Sequence, residues 1–489
     1  MACARVIIKL SDEYIGEFIE PNTEDSYYQD GFEKFFSQEQ AQVWKELIKD
    51  SDLTINRLFT ALEGSQMRDL VSRAVELNPE YKAPNFLSYF VIDCPEDIDA
   101  KALVKELGSK DSTWFTVIEH VYLGGHISSP NPVDPSNDYE FYRQKYLKPL
   151  HGIDIEAAWN RLGGDGAGDL RFVDIEKGWS LKPVASDLRL HHEDLPATVT
   201  VLPGNDTNGN PLCGVPDQDN SHGTSVMGII TGLDNTLGIV GIVPNLATAW
   251  LVSFVRANTN KRFGEITCVA DAIWSALPRL RAGDVILLEA QTFYDANLAK
   301  GWNDMPVEVE DVELELIRLV TASGIIVVEA AGNGKNNLDT FQYTNSKGVL
   351  RTFDTSNPAQ DSGAILVGAI SSRSRKKWVG RGAEKGMGTN FGARIDTHAW
   401  GNSIRTTTNI NGWRYGDFGG TSGASAIIAG VVLAIQGMAK AKGMTFSPVQ
   451  MRNILRDTTI NTHPESASEL KQVGTMPNLE AIIKKYLST

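Results

Sequence analysis

Three short stretches carry side chains able to do acyl-transfer chemistry. Gly420-Thr421-Ser422-Gly423-Ala424-Ser425 gathers small residues around one hydroxyl. Ser221-His222-Gly223-Thr224-Ser225-Val226-Met227-Gly228 sets an imidazole among small residues, and Phe172-Val173-Asp174 sets a carboxylate behind apolar ones. A serine hydroxyl is a weak nucleophile at its own pKa. It becomes a strong one when a neutral imidazole takes its proton and a buried carboxylate holds that imidazole in the right tautomer. The order is Asp, His, Ser, with separations of 48 (222−174) and 200 (422−222) residues. Order alone is weak evidence, and Ser422 by itself reads equally well as the cap of the helix that follows.

The elements that would hold these side chains form a regular series. Residues 425–442 have Ala, Ile, Val, Leu and Gln with no proline, which predicts a buried helix with Ser422 at its start. There the free N–H groups and the positive dipole end favour a developing anion. Upstream, apolar runs expected as strands (170–174, 248–256, 285–289, 325–330, 364–370) alternate with helical patterns (222–231, 268–280, 309–323). Such alternation predicts an α/β layer with a mainly parallel sheet, whose sites gather at the carboxyl ends of the strands. Asp174, Glu289 and Asn333 all follow apolar strands.

Before this region lies a separate α+β pattern. Strands are expected near 5–10, 86–93 and 115–123, with helices at 38–49, 66–77 and 98–107. Residues 124–137 hold Gly-Gly, three prolines and three serines without periodicity, so the domain boundary is placed near residue 130. That divides the chain into 1–130 and 131–489.

Composition narrows the function classes. The 489 residues are 42% hydrophobic and 22% charged, as a globular chain with a large core requires. A formal net charge of −15 argues against nucleic acid as a partner, because phosphate binding needs a basic face. The four cysteines contain no C-x-x-C pair; free thiols are expected, with a Cys213–Cys268 bridge left open. The first ten residues lack the apolar core of a signal peptide, and the run 424–435 is too short to span a bilayer. The expectation is a cytoplasmic protein without membrane contact, export by a non-classical route staying open. Oligomeric state is not legible.

Together the motifs resemble the subtilisin-like serine proteases. The matching pieces are Val173-Asp174, His222-Gly223-Thr224-Ser225-Val226-Met227-Gly228, Ala330-Ala331-Gly332-Asn333-Gly334 and Gly420-Thr421-Ser422-Gly423-Ala424-Ser425, in that order across roughly 140–460. The resemblance implies a three-layer sandwich around a mainly parallel sheet, preceded by a small α+β domain. It implies Asp174 as orienting acid, His222 as base then acid, Ser422 as nucleophile, and the Asn333 amide with the Ser422 N–H as oxyanion hole. It implies a protein or peptide substrate, no required cofactor, and calcium as an optional structural ion. The strand expected to line the substrate groove reads Glu289-Ala290-Gln291, where family members usually read Ser-Leu-Gly. The block after Asp174 is also unusual, with Ile175-Glu176-Lys177-Gly178 where Thr or Ser and Gly often follow the acid.

Residues 1–130 then read as a propeptide cut away by self-processing near residue 130, with a partner-binding domain as the alternative. Two further activities stay open: a silent binding protein on the same scaffold, and a transpeptidase or cyclase using the same acyl-enzyme. His191-His192-Glu193-Asp194-Leu195 and Asp217-x-Asp219-x-Ser221 faintly suggest metal ligands, but the zinc-protease and calcium-loop spacings are incomplete.

Overall fold

A computed structural model describes residues 4–10, 54–59, 62, 64–94, 102–103, 107, 115–121, 125–126, 140–184, 187–190, 192–196, 199–204, 218–235, 237–256, 266–293, 304–344, 348–381, 384–410 and 414–487. The expected helix at 38–49, most of the one at 98–107, and the boundary near residue 130 lie outside them.

The first unit is an antiparallel sheet of β1 (Ala4–Leu10), β2 (Thr54–Arg57), β3 (Tyr89–Cys94) and β4 (Phe115–Val121), ordered β2-β3-β1-β4. Helix α1 (Gly64–Leu77) buries Met67, Leu70 and Ala74, one stripe at helical spacing. This unit is seated on the second one through rings. Phe86 meets Trp274 edge-on at 5.2 Å between centroids, and Phe59 meets it at 5.9 Å. Beyond β4, strand β5 (Gly125–His126) pairs with the second unit rather than the first.

The second unit is organised by a seven-stranded sheet. In chain order its strands are β6 (Phe172–Glu176), β7 (Thr200–Val201), β8 (Ala249–Ser253), β9 (Val285–Leu288), β12 (Ile326–Ala330), β13 (Ile365–Ile370) and β14 (Thr397–Trp400). Their spatial order is β14-β13-β12-β9-β6-β8-β7, and every pairing is parallel. Between β9 and β12 the chain adds β10 (Ala290–Phe293) and β11 (Asp304–Pro306), which with β5 form a small sheet ordered β11-β10-β5.

Both faces of the parallel sheet are covered, so its strands are near-continuous apolar runs. Phe172, Val285, Leu287 and Val328 pack in the layer of α2 (Gln218–Thr231) and α5 (Gly420–Ala441). Val173, Ile175, Ile286, Leu288 and Val327 pack in the layer of α3 (Val269–Ala276) and α4 (Asp311–Ala322). That is the α/β layer with a parallel sheet expected from the alternation, in the three-layer sandwich that the resemblance implies. Helices α6 (Pro448–Arg456), α7 (Ala467–Val473) and α8 (Leu479–Tyr486) close the chain. The 22 residues of α5 are long and apolar enough to cross a membrane, yet its most apolar window is wholly buried, as in a core helix. Cys268 is a free thiol whose Sγ caps α3 at Asp271 N (3.4 Å); Cys213 lies outside the described residues.

His398 on β14 gives the fold a pH dependence. Its Nδ1 is 3.1 Å from the carbonyls of Val473 and Gly474, so Nδ1 carries the proton, and Nε2 is buried with no partner among the described residues. Protonating Nε2 would bury an unpaired charge, and burial lowers the His398 pKa to about 4. The unfolded chain therefore takes up a proton below about pH 6.5 that the fold refuses, and stability falls as pH drops from 6.5 to 4. The cost reaches about 3 kcal/mol. His398→Asn keeps a donor for the carbonyls and is expected to flatten this slope in melting curves taken across that window.

Candidate active site

The site lies where the carboxyl ends of β6 and β9 meet the starts of α2 and α5. Strand β6 runs to Glu176, two residues beyond the expected end at Asp174. Two residues of strand are about 6.6 Å of rise. Asp174 and Glu176 share the sheet face turned toward α2 and α5, because alternate residues point the same way. Only the outer one reaches the histidine.

His222 Nδ1 is 2.6 Å from Glu176 Oε2, and His222 Nε2 is 3.0 Å from Ser422 Oγ. All three side chains are buried. The second carboxylate oxygen, Glu176 Oε1, accepts from Lys177 N at 2.7 Å. The expectation for Asp174 is thus corrected. Its Oδ2 accepts from Trp179 Nε1 (2.8 Å), its Oδ1 has no partner among the described residues, and it makes no hydrogen bond to His222. Burial, then the charge of Glu176, holds the Asp174 carboxyl well above the usual carboxylate range.

Local sequence explains this geometry. A Cβ on Gly223 would come within 2.6 Å of Glu176 Cγ and of the Gly178 carbonyl. Glycine beside His222 therefore lets the end of β6 lie directly against α2. The ring of His222 is further fixed edge-on against Phe418 at 5.0 Å. His222 sits one turn inside α2, which starts at Gln218 rather than at the histidine.

Ser422 is the third residue of α5, not its cap; the cap is Gly419 and it makes no side-chain bond. Gly420, with φ +69°, takes the sharp turn that only glycine enters cheaply. The first-turn N–H groups are then accounted for. Gly420 N donates to Gly401 O (2.8 Å), Thr421 N to Asn333 Oδ1 (3.0 Å) and Gly423 N to Gly419 O (3.0 Å). Among the described residues the Ser422 N–H has no acceptor and is left over. Because Asn333 Oδ1 accepts from both Thr421 N and Thr421 Oγ1, the free end of that amide is the NH2 group. Two unspent donors, Ser422 N–H and Asn333 Nδ2, are available for a developing oxyanion. Asn333→Ala is expected to lower kcat about 100- to 1,000-fold with little change in KM, the usual loss for one oxyanion donor; steady-state kinetics on a peptide substrate would read it.

The Glu289–Gln291 stretch divides. Ala290 and Gln291 lie on β10, whose edge pairs with the backbone of β5: Ala290 with His126, Gln291 with Gly125. Gln291 Oε1 accepts from Asn333 N at 3.3 Å. Its amide also contacts Asp304, whose carboxyl burial pushes up to about 6. Glu289, expected to line the substrate groove, instead turns inward and lies 2.7 Å from Ser425 Oγ. Its parity matches Val285 and Leu287, so it points to the interior face with Glu176.

One set of donors could be mistaken for a metal site: atoms of Glu176, His222 and Glu289 lie within 4.8 Å of one another. Two ligands of one zinc at about 2.0–2.2 Å and tetrahedral angles are more than about 3 Å apart. The Glu176–His222 pair at 2.6 Å is therefore a hydrogen bond. Of the two histidines in the 191–195 stretch, His191 lies outside the described residues and His192 is spent. His192 Nε2 donates to Arg414 O (2.6 Å) and its Nδ1 accepts from Asp194 N (3.1 Å). Ser221 Oγ is held by Thr408 Oγ1 (2.6 Å) rather than pointing into an ion loop, and Asp217 lies outside the described residues.

The "Subtilase family" model of peptidases S8 matches residues 191–476. Alkaline elastase YaB from Bacillus sp. (strain YaB) is 28% identical over 244 residues, which are 50% of this chain and 50% of that one. Subtilisin DY from Bacillus licheniformis is 28% identical over 242 residues, 50% of this chain and 71% of the relative. The chain thus spans about half the length of the first of these relatives. Among solved structures, fervidolysin from Fervidobacterium pennivorans, described as a keratinolytic enzyme related to subtilisin, superposes with a TM-score of 0.52. That likeness covers 86% of this chain and 60% of that one at 16% identity, and it concerns the fold.

Proposed function

This chain belongs to the subtilase family, and on that footing we propose that it is a serine endopeptidase acting through an acyl-enzyme on Ser422. The observation that carries the reading is the unbroken run Glu176–His222–Ser422, with bonds of 2.6 and 3.0 Å across three separate elements. Ser422 Oγ attacks the scissile carbonyl while His222 Nε2 takes its proton. Glu176 holds the Nδ1–H and stabilises the imidazolium. The carbonyl oxygen, now negative, is received by Asn333 Nδ2 and Ser422 N–H. His222 then protonates the leaving amine, and water repeats the sequence on the ester. Nucleophile, base and orienting acid all come from this chain, so these steps call on no cofactor.

The substrate is an extended peptide lying along the edge of β10, where backbone groups can add a strand. The chain's own residues 125–126 already pair there. The pairing is antiparallel, so the chain leaving His126 points toward Glu289 and the start of α5. Self-processing is therefore expected shortly after His126, near residue 130, leaving residues 1–130 as a removable propeptide.

The test is labelling by a fluorophosphonate probe, with the adduct mapped by peptide mass spectrometry. An adduct on Ser422 supports the proposal; a folded wild-type protein that takes no label would make this a silent binding scaffold. Mass spectrometry of products from a peptide library then separates hydrolysis, which adds water, from transpeptidation, which joins two peptides.

A further inference from the structure

Behind the nucleophile sits a carboxyl group that the reaction just described does not use. Glu289 follows β9, its N–H donates to Ile175 O (3.0 Å), and its side chain is wholly buried. Its Oε1 is 2.7 Å from Ser425 Oγ. The same Ser425 oxygen is 2.8 Å from Thr421 O and 3.0 Å from Ser422 O. A hydroxyl has one proton and can donate once. Both helix carbonyls can only accept, so the three contacts are satisfied together only when one of these carbonyls takes the Ser425 proton. The Ser425 oxygen then needs a donor, and among the described residues the group placed to donate is a protonated Glu289. An ionised Glu289 would take that proton itself and leave the Ser425 oxygen facing two carbonyl oxygens. The other oxygen, Glu289 Oε2, makes no bond of good geometry among the described residues, although the Ser422 hydroxyl is close enough to draw the Glu289 pKa down.

We infer that Glu289 is a neutral carboxylic acid and a positioning residue: it holds the first turn of α5 through Ser425 and leaves Glu176 as the single charged carboxylate beside His222. This rests on the reading of Ser422 as a nucleophile and adds what sets the charge around it. The groups facing Glu289 are Asp174 and Glu176 from β6, His222 from α2, and Ser422 and Ser425 from α5. Glu329 on the neighbouring β12 turns to the opposite face, where it accepts from Glu308 N. No described cation is among the groups acting on Glu289. Burial, and next the charge of Glu176, pushes the Glu289 carboxyl well above its ordinary range. A second negative charge here would strengthen the hold of His222 on its proton and oppose the oxyanion.

Glu289→Gln keeps the shape and a donor for Ser425 and removes the acid. Infrared spectra of the resting protein at neutral pH are expected to show a protonated-carboxyl carbonyl band that Glu289→Gln lacks. The variant should keep kcat/KM within about tenfold. The acid limb of its pH profile should stay where it is in the wild type. Were Glu289 ionised, removing its charge would lower that limb by more than about one pH unit. Glu289→Leu, which has no donor, should lower kcat more than it changes KM, and Gln should restore it. An unchanged carboxyl band, a lowered acid limb, or a folded Glu289→Gln protein as impaired as Glu289→Leu would overturn the inference. The band is read without turnover, so it decides Glu289 even if the wild type proves not to be labelled at Ser422.

Discussion

Glu176→Gln is expected to lower kcat about 10⁴-fold with little change in KM, whereas Asp174→Asn should stay within about tenfold of the wild type. The reason is tautomeric. Lys177 N–H needs an acceptor, so the new amide turns its oxygen to Lys177 and its NH2 group toward His222 Nδ1. Nδ1 must then accept, the ring proton moves to Nε2, and Nε2 faces Ser422 with a hydrogen instead of a lone pair. The base is disabled while every packing contact survives. Asp174→Asn loses no such function, because an amide oxygen can still accept from Trp179 Nε1. Steady-state kinetics on one chromogenic peptide decide it. A large loss with Asp174→Asn and a small one with Glu176→Gln would return the orienting role to Asp174.

Ser422→Ala is expected to cost about 10⁶-fold in kcat, the loss a triad enzyme suffers without its nucleophile, and to keep the protein at full length. Its hydroxyl bonds to His222 and lies near Glu289, and alanine suits a helix, so the melting temperature should not fall by much. Wild-type protein should shorten near residue 130, a change that terminal sequencing places on the chain. Hydrolysis by Ser422→Ala at the wild-type rate would end the acyl-enzyme proposal. Equal lengths for both proteins would end self-processing alone.

Much of this could be read from the residues. The alternation of apolar runs and helical patterns pointed to the mainly parallel sheet, because it follows from local periodicity, whereas the spatial order of the strands is long-range and was not legible. His222, Ser422 and Asn333 stand in short blocks whose small residues reflect close approach, and the structure brings them together. Asp174 shows where such reading stops. Two acids two residues apart lie on one face of one strand, and which is outermost depends on where pairing with β8 and β9 ends. That pairing extends to Ser253 opposite Glu176, a long-range fact. A signal was present: Glu176-Lys177-Gly178 has the acid-x-Gly spacing that Asp174-Ile175-Glu176 lacks. Glu289 was misplaced for a related reason. It continues the alternation of β9 inward, while its neighbours Ala290 and Gln291 begin a new strand outside.

The ring contacts of Trp274 also make it an optical gauge of the two units. This indole is fully buried, its Nε1 has no partner among the described residues, and Phe59 and Phe86 cover it from a part of the chain that precedes the linker. Whatever parts the units exposes an indole to water, and its emission should move to the red as Nε1 finds a solvent acceptor. The sequence has ten tryptophans, so a Trp274→Phe protein supplies the background to subtract. Cutting the linker and losing the covering unit would then be timed as separate events, one by chain length and one by colour.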